Sequence, residues 1–128
     1  MSQPAESSSP SAVPAATPLS DVDYQARTRA VLDRIEATVD AWLDGDVIDI
    51  DSHRSGGLLE LSFPGGSKII LNTQAPLQEI WLAARAGGYH FRFVNGHWLD
   101  TRSGVELHQL LSEQASAQGG KALQFTPA

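Results

Sequence analysis

At Gly45 the hydrophobic period of this chain changes from that of a helix to that of a strand, and the helical period returns only near the end. Before the change, Tyr24, Thr28, Val31, Leu32, Ile35, Val39, Trp42 and Leu43 recur at helical spacing and predict one broad apolar face on a helix over Asp21–Asp44. Its start is signalled by Ser20 as cap and by Asp21 and Asp23 at the positive end of the helix dipole. Leu19 and Tyr24 have the spacing of a hydrophobic staple. Gly45 is the expected stop, taking the left-handed conformation past the last turn.

After Gly45 the residues alternate. Ile48 and Ile50 between Asp49 and Asp51 predict a strand with one acidic face. Gly56-Gly57 turns the chain into Leu59, Leu61 and Phe63, and Pro64-Gly65-Gly66 turns it again into Lys68–Asn72. Glu79–Ala84 and Tyr89–Val94 follow, separated by Gly87-Gly88. Asn95-Gly96, a strong hairpin signal, returns the chain through His97–Asp100. Ser103-Gly104-Val105-Glu106 has the form of a capping box before a second helix carrying Leu107, Leu110 and Leu111. Gly119-Gly120 ends that helix, and Leu123–Phe125 is expected as a last short strand. A run of strands with helices at its two ends predicts an α+β two-layer sandwich. Its antiparallel sheet has five to six strands, with the N- and C-terminal helices packed on one face. The other face must meet water or a partner.

Residues 1–19 are rich in Ser, Pro and Ala and lack periodicity, so they are expected to be a disordered tail, with the folded domain over 20–128. The first basic residue is Arg27, which does not suit a secretory or organellar leader, so the expected location is cytoplasmic. The longest strongly apolar stretch, Ile80–Ala84, falls far short of the roughly 20 residues of a membrane span. With no Cys, disulfides, thiolate metal sites and thiol nucleophiles are excluded. A net charge of −6 argues against nucleic acid as a partner and for a cation or a basic protein surface.

That charge is local. Asp33, Glu36, Asp40, Asp44, Asp46, Asp49 and Asp51 are opposed only by Arg34, so residues 33–51 alone carry −6. Asp33, Glu36, Asp40 and Asp44 fall within roughly 80° of helix arc, where like charges repel, and the last two sit at the negative end of the dipole. Such a stripe is a binding surface kept at a cost in stability. Its oxygens suit hard cations, but Asp33 to Asp44 spans about 16 Å, too far for one chelate cage, so several weak, hydrated sites are expected.

In Glu79–Ala84, Ile80 and Leu82 belong to the core alternation, so Trp81 must point to the face without helices, where a large aromatic is an interface anchor. His53, His90, His97 and His108 are scattered, with no ligand spacing. No nucleophile elbow, phosphate loop or catalytic constellation is present.

The run Gly66-Ser67-Lys68-Ile69-Ile70-Leu71-Asn72-Thr73-Gln74-Ala75-Pro76, leading to Ile80-Trp81-Leu82-Ala83, resembles the frataxin family in its bacterial, CyaY-type branch. Gly87-Gly88-Tyr89-His90-Phe91, Asp100-Thr101-Arg102-Ser103-Gly104 and the Leu110-Leu111 helix continue the likeness, which covers roughly 20–125. The resemblance implies an α-β sandwich and a role in iron–sulfur cluster assembly. It implies weak surface binding of Fe²⁺ or Fe³⁺ through an acidic ridge, here Asp33, Glu36, Asp40, Asp44, Asp46, Asp49 and Asp51. It also implies a complex with cysteine desulfurase and the scaffold protein, with Trp81, Asn72 and Gln74 on the contact face. Two departures stand out: Ala37, Ala41 and Leu43 thin the ridge, and Glu79 stands where Gln is frequent, which bears on the scaffold contact.

The resulting expectation is a non-enzymatic, iron-binding regulator of the desulfurase–scaffold complex and a candidate iron donor. A monomer is expected, with iron-driven oligomerisation left open. The alternatives are a ferroxidase or iron store at the ridge, which lacks the Glu-x-x-His pairs of di-iron bundles, and a protein-interaction module indifferent to metal.

Overall fold

The computed structural model describes residues 13–127. Helix α1 runs over Asp21–Asp44, with the Ser20 hydroxyl accepting from the Asp23 amide at 3.1 Å. Tyr24, Thr28, Leu32, Ile35 and Val39 are its buried stripe. Leu43, expected on that face, is 47% exposed in the last turn of the helix. Gly45 ends the helix without the left-handed turn: its φ is −90°, and the left-handed residue is Asp46 at φ 56°. A Cβ at Gly45 would stand 3.3 Å from the Ala41 carbonyl, so closeness rather than handedness favours glycine there.

Six strands follow: β1 Asp51–Ser55, β2 Leu58–Ser62, β3 Lys68–Gln74, β4 Glu79–Ala84, β5 Gly87–Val94 and β6 His97–Asp100. They form one antiparallel sheet in sequential order β1-β2-β3-β4-β5-β6. The first strand begins at Asp51, not at Ile48, so Asp46 and Asp49 lie in the connection; Ile50 still anchors in the core at 2% exposure. Leu59, Leu61, Ile69, Leu71, Ile80, Leu82, Phe91 and Phe93 alternate inward and join the stripe of α1 in one core. At Asn95-Gly96 both residues have positive φ, 48° and 92°, as a two-residue hairpin of this twist requires.

Helix α2, Leu107–Gly119, adds Leu107, Leu110, Leu111 and Ala115 to the same core, on the face already covered by α1. Its cap is Glu106, whose carboxylate accepts from the Gln109 amide, and not Ser103. The chain from Asp100 to Val105 closes on itself, with the Gly104 amide bonded to the Asp100 carbonyl and Gly104 at φ 78°, which keeps Ser103 out of the helix. Ser103 instead gives its hydroxyl hydrogen to Asp100 Oδ2 at 2.6 Å. The expected last strand does not form. The Leu123 and Phe125 amides bond to the hydroxyls of Ser116 and Ser112, pinning the segment along α2, where Phe125 packs on Trp42. No helix among the described residues is long and apolar enough to cross a membrane.

Composition groups residues 13–19 with a disordered tail, but the segment is tethered to the folded domain: the Thr17 amide bonds the Phe93 carbonyl at 2.7 Å, and the Gln78 side chain bonds the Leu19 carbonyl at 2.8 Å. Residues 1–12, the rest of that tail, lie outside the described residues.

Candidate functional site

Two surfaces carry the residues singled out by the sequence. The first is the border between α1 and β1. After the connection, β1 runs back along the helix, and its register with β2 sets Ser52 and Arg54 toward the helix side and Asp51 toward the open face. Arg54 thereby meets the acidic stripe: its Nη1 lies 2.8 Å from Asp33 Oδ1 and 3.3 Å from Glu36 Oε1, while its Nε donates to the Gly56 carbonyl. The expectation of a ridge without internal counter-charge therefore fails at Asp33 and Glu36. The partner stands on the edge strand, three residues past the acidic stretch, where a count along the helix does not find it.

Asp40, Asp44, Asp46, Asp49 and Asp51 differ. All five are exposed, and among the described residues none of their carboxylates makes a hydrogen bond or ion pair. Lys121 approaches the connection but gives its ammonium to the Val47 carbonyl, at 2.5 Å. Among the described residues no three His, Cys, Asp or Glu side chains converge as a ligand set would. The border is a line of separate carboxylates whose free part runs from the last turns of α1 through the connection to the start of β1.

The second surface is the open face of the sheet. Asn72 on β3 pairs directly with Trp81 on β4, and Gln74 pairs with Glu79, so the four expected contact residues form one block on adjacent strands, all facing away from the helices. His90, which the sequence left among scattered histidines, completes the block. It pairs with Trp81 in register, and the two rings stack at 4.1 Å and 6°. Strand register alone links them, which is why residue spacing missed it. Glu79 holds the platform: its Oε1 accepts from Trp81 Nε1 at 2.8 Å, and His90 Nδ1 lies 4.0 Å away. Tyr24 reaches up from α1 to donate to the Glu79 carbonyl at 2.6 Å. Burial pushes the Tyr24 phenol above its usual range, so it stays a neutral donor. The indole is thus fixed in orientation, half-buried, with no helix over it.

A family model described as a frataxin-like domain matches residues 17–121. The chain is 51% identical over 108 residues to proteins from Burkholderia mallei (strain SAVP1) and Burkholderia pseudomallei (strain 668), each named iron-sulfur cluster assembly protein CyaY; the match covers 84% of this chain and 99% of theirs. Among solved structures, frataxin from Psychromonas ingrahamii superposes with a TM-score of 0.76 at 31% identity, over 85% of this chain and 100% of that one. Trimeric frataxin from Saccharomyces cerevisiae, complexed with ferrous iron, superposes with a TM-score of 0.63 at 26% identity, over 85% and 94%. The chain belongs to the frataxin family.

Proposed function

We propose that this protein works in iron–sulfur cluster assembly as a non-enzymatic, iron-binding regulator of a cysteine desulfurase–scaffold complex. The observation that carries the reading is the line of five carboxylates, Asp40, Asp44, Asp46, Asp49 and Asp51, exposed along one border without an internal counter-ion among the described residues. Such a line attracts hydrated iron weakly at several points and steers a basic protein surface at long range. The desulfurase supplies that basic surface in this reading, and the Trp81 platform meets the scaffold. The names borne by the Burkholderia relatives and the ferrous complex of the yeast relative support it.

Charge reversal is the test. Because Asp33 and Glu36 hold Arg54, the substitutions belong at Asp40→Lys, Asp44→Lys and Asp49→Lys, which spare that contact. The triple variant is expected to bind desulfurase at least tenfold more weakly at low salt, with the gap closing as salt screens the charges. Ferrous iron is expected to raise the melting temperature of the parent chain and not of the variant. Equal desulfurase affinity at low and moderate salt would refute the electrostatic part, and an iron-independent melting temperature would refute the metal part.

A further inference from the structure

The open sheet face is not open throughout. Val94 points to the side without helices, opposite to Phe93, yet it is only 4% exposed. Thr17 brackets it: the Thr17 amide donates to the Phe93 carbonyl at 2.7 Å, and the Asn95 amide donates to the Thr17 hydroxyl at 2.9 Å. Further along, Arg92 Nη2 donates to the Val13 carbonyl at 3.0 Å, and the Val13 side chain lies against Gly104. Between these points Pro14, Ala15 and Ala16 are exposed, as is Pro18 beyond Thr17. The segment therefore rests on β5 and the β5–β6 turn through two residues.

This cover sits next to the Trp81 platform. Arg92 pairs in register with Glu79, the residue that fixes the Trp81 ring. The cover also leaves a defect beneath it. Among the described residues Arg92 Nε is buried with no partner, and a buried donor without an acceptor is a cost borne by the covered state. Lifting residues 13–18 would free that guanidinium, the Val94 side chain and one edge carbonyl at Phe93.

We propose that residues 13–18 are a displaceable cover, held in cis over a continuation of the Trp81 docking face. The surface beneath takes an extended partner segment with a carboxylate for Arg92, a small apolar side chain for Val94 and a backbone N–H for the Phe93 carbonyl. The seated segment itself shows the form this surface accepts, an irregular stretch of small and proline residues that turns the Thr17 amide and the Val13 carbonyl to the sheet. The inference rests on the scaffold-docking reading given above, and the partner is that scaffold.

The test keeps the full chain and changes Thr17→Pro, which removes both the amide donor and the hydroxyl. A second variant deletes residues 2–18 and retains Leu19 and the Ser20 cap. Both are expected to bind the desulfurase–scaffold complex about fivefold or more tightly than the parent, and Arg92→Ala is expected to cancel the gain. Without any partner, Thr17→Pro is expected to speed hydrogen exchange of the Asn95 amide at least tenfold. Unchanged exchange would show that the cover is not closed in solution and overturn the proposal. Unchanged affinity in both variants, while Trp81→Ala still weakens binding, would overturn the cover and leave the docking face standing. If Trp81→Ala has no effect either, the docking face and the cover both fall.

Discussion

Arg54 and Asp33, 21 residues apart in the chain, meet at 2.8 Å across the border between the edge strand and the first helix. One guanidinium thereby divides the acidic line into a paired part and a free part. Arg54→Ala should separate two effects. Exposed and part-exposed pairs contribute little, so the stability loss is expected to be about 1 kcal/mol. One positive charge roughly 7 Å from a bound divalent ion opposes it by about 1 kcal/mol in water. Ferrous or cobaltous titration of the variant should therefore show affinity raised roughly fivefold at the end of the free line nearest Arg54, by Asp40; an unchanged affinity would place the metal farther along it, toward Asp46 and Asp49.

The Trp81–His90 stack is built on the sheet surface and adds nothing to the core between sheet and helices. Trp81→Ala is expected to lower stability by about 1 kcal/mol, far below the cost of emptying a core position. Binding to the scaffold-containing complex should fall more than tenfold, as for an interface anchor. Glu79→Gln retains an oxygen for the Trp81 N–H and should stay within about 0.5 kcal/mol of the parent in denaturant titration.

Glu106 carries a pH dependence whose sign follows from its surroundings. Burial works to raise its carboxyl, but the hydrogen bond to His108 Nδ1 at 2.6 Å, with the His108 and Gln109 amides, outweighs this and holds it below its ordinary 4.5. A carboxyl lowered on folding stabilises the protein above its unfolded value, and that contribution is lost as pH falls through the folded one. Glu106→Gln keeps an oxygen for the Gln109 amide but loses the charge favoured by His108 and by the helix N-terminus, so it should cost about 1 kcal/mol at pH 7. The difference between the two proteins should shrink as pH drops below about 4. Parallel urea titrations at pH 7 and pH 3.5 would read it, and a gap of constant size would contradict the assignment.

At the β1–β2 turn, a Cβ on Gly57 would run into the Thr73 hydroxyl, while the Thr73 amide bonds the Gly57 carbonyl at 2.9 Å. Gly57→Ala is expected to destabilise by about 1–3 kcal/mol through overpacking. Adding Thr73→Ala should recover part of that loss, and a double-mutant cycle measures how much. Strict additivity would mean that the two side chains do not compete for one space.

Elements marked by a regular apolar period between clear turn or cap signals were legible in the sequence. Helix α1 and strands β4 and β6 fall at the expected residues, because their apolar period, caps and the Asn95-Gly96 turn all agree. The cap of α2 lies three residues beyond Ser103, which mimics one in the sequence; the Ser103 hydroxyl is diverted to Asp100 by the Gly104 turn. Leu123–Phe125 has the composition of a strand, but the Ser112 and Ser116 hydroxyls supply the partners that a neighbouring strand would have supplied. At the candidate site, Trp81 followed from alternation within its strand, whereas Asn72, Gln74 and Glu79 followed only from the family resemblance. Arg54 beside Asp33, His90 beneath Trp81 and Thr17 against Phe93 are contacts between distant parts of the chain. No local period encodes them.

Because every ladder of the sheet joins strands adjacent in the chain, the connections between strands are only two to five residues long. Such closures are fast, so the hairpins can zip together while the first helix is still searching. Its latch, Tyr24 to Glu79, must close a loop of 55 residues and is expected to form after the hairpins. Stopped-flow kinetics of Ile35→Val should accordingly show faster unfolding with nearly unchanged refolding, the mark of a contact made after the rate-limiting barrier.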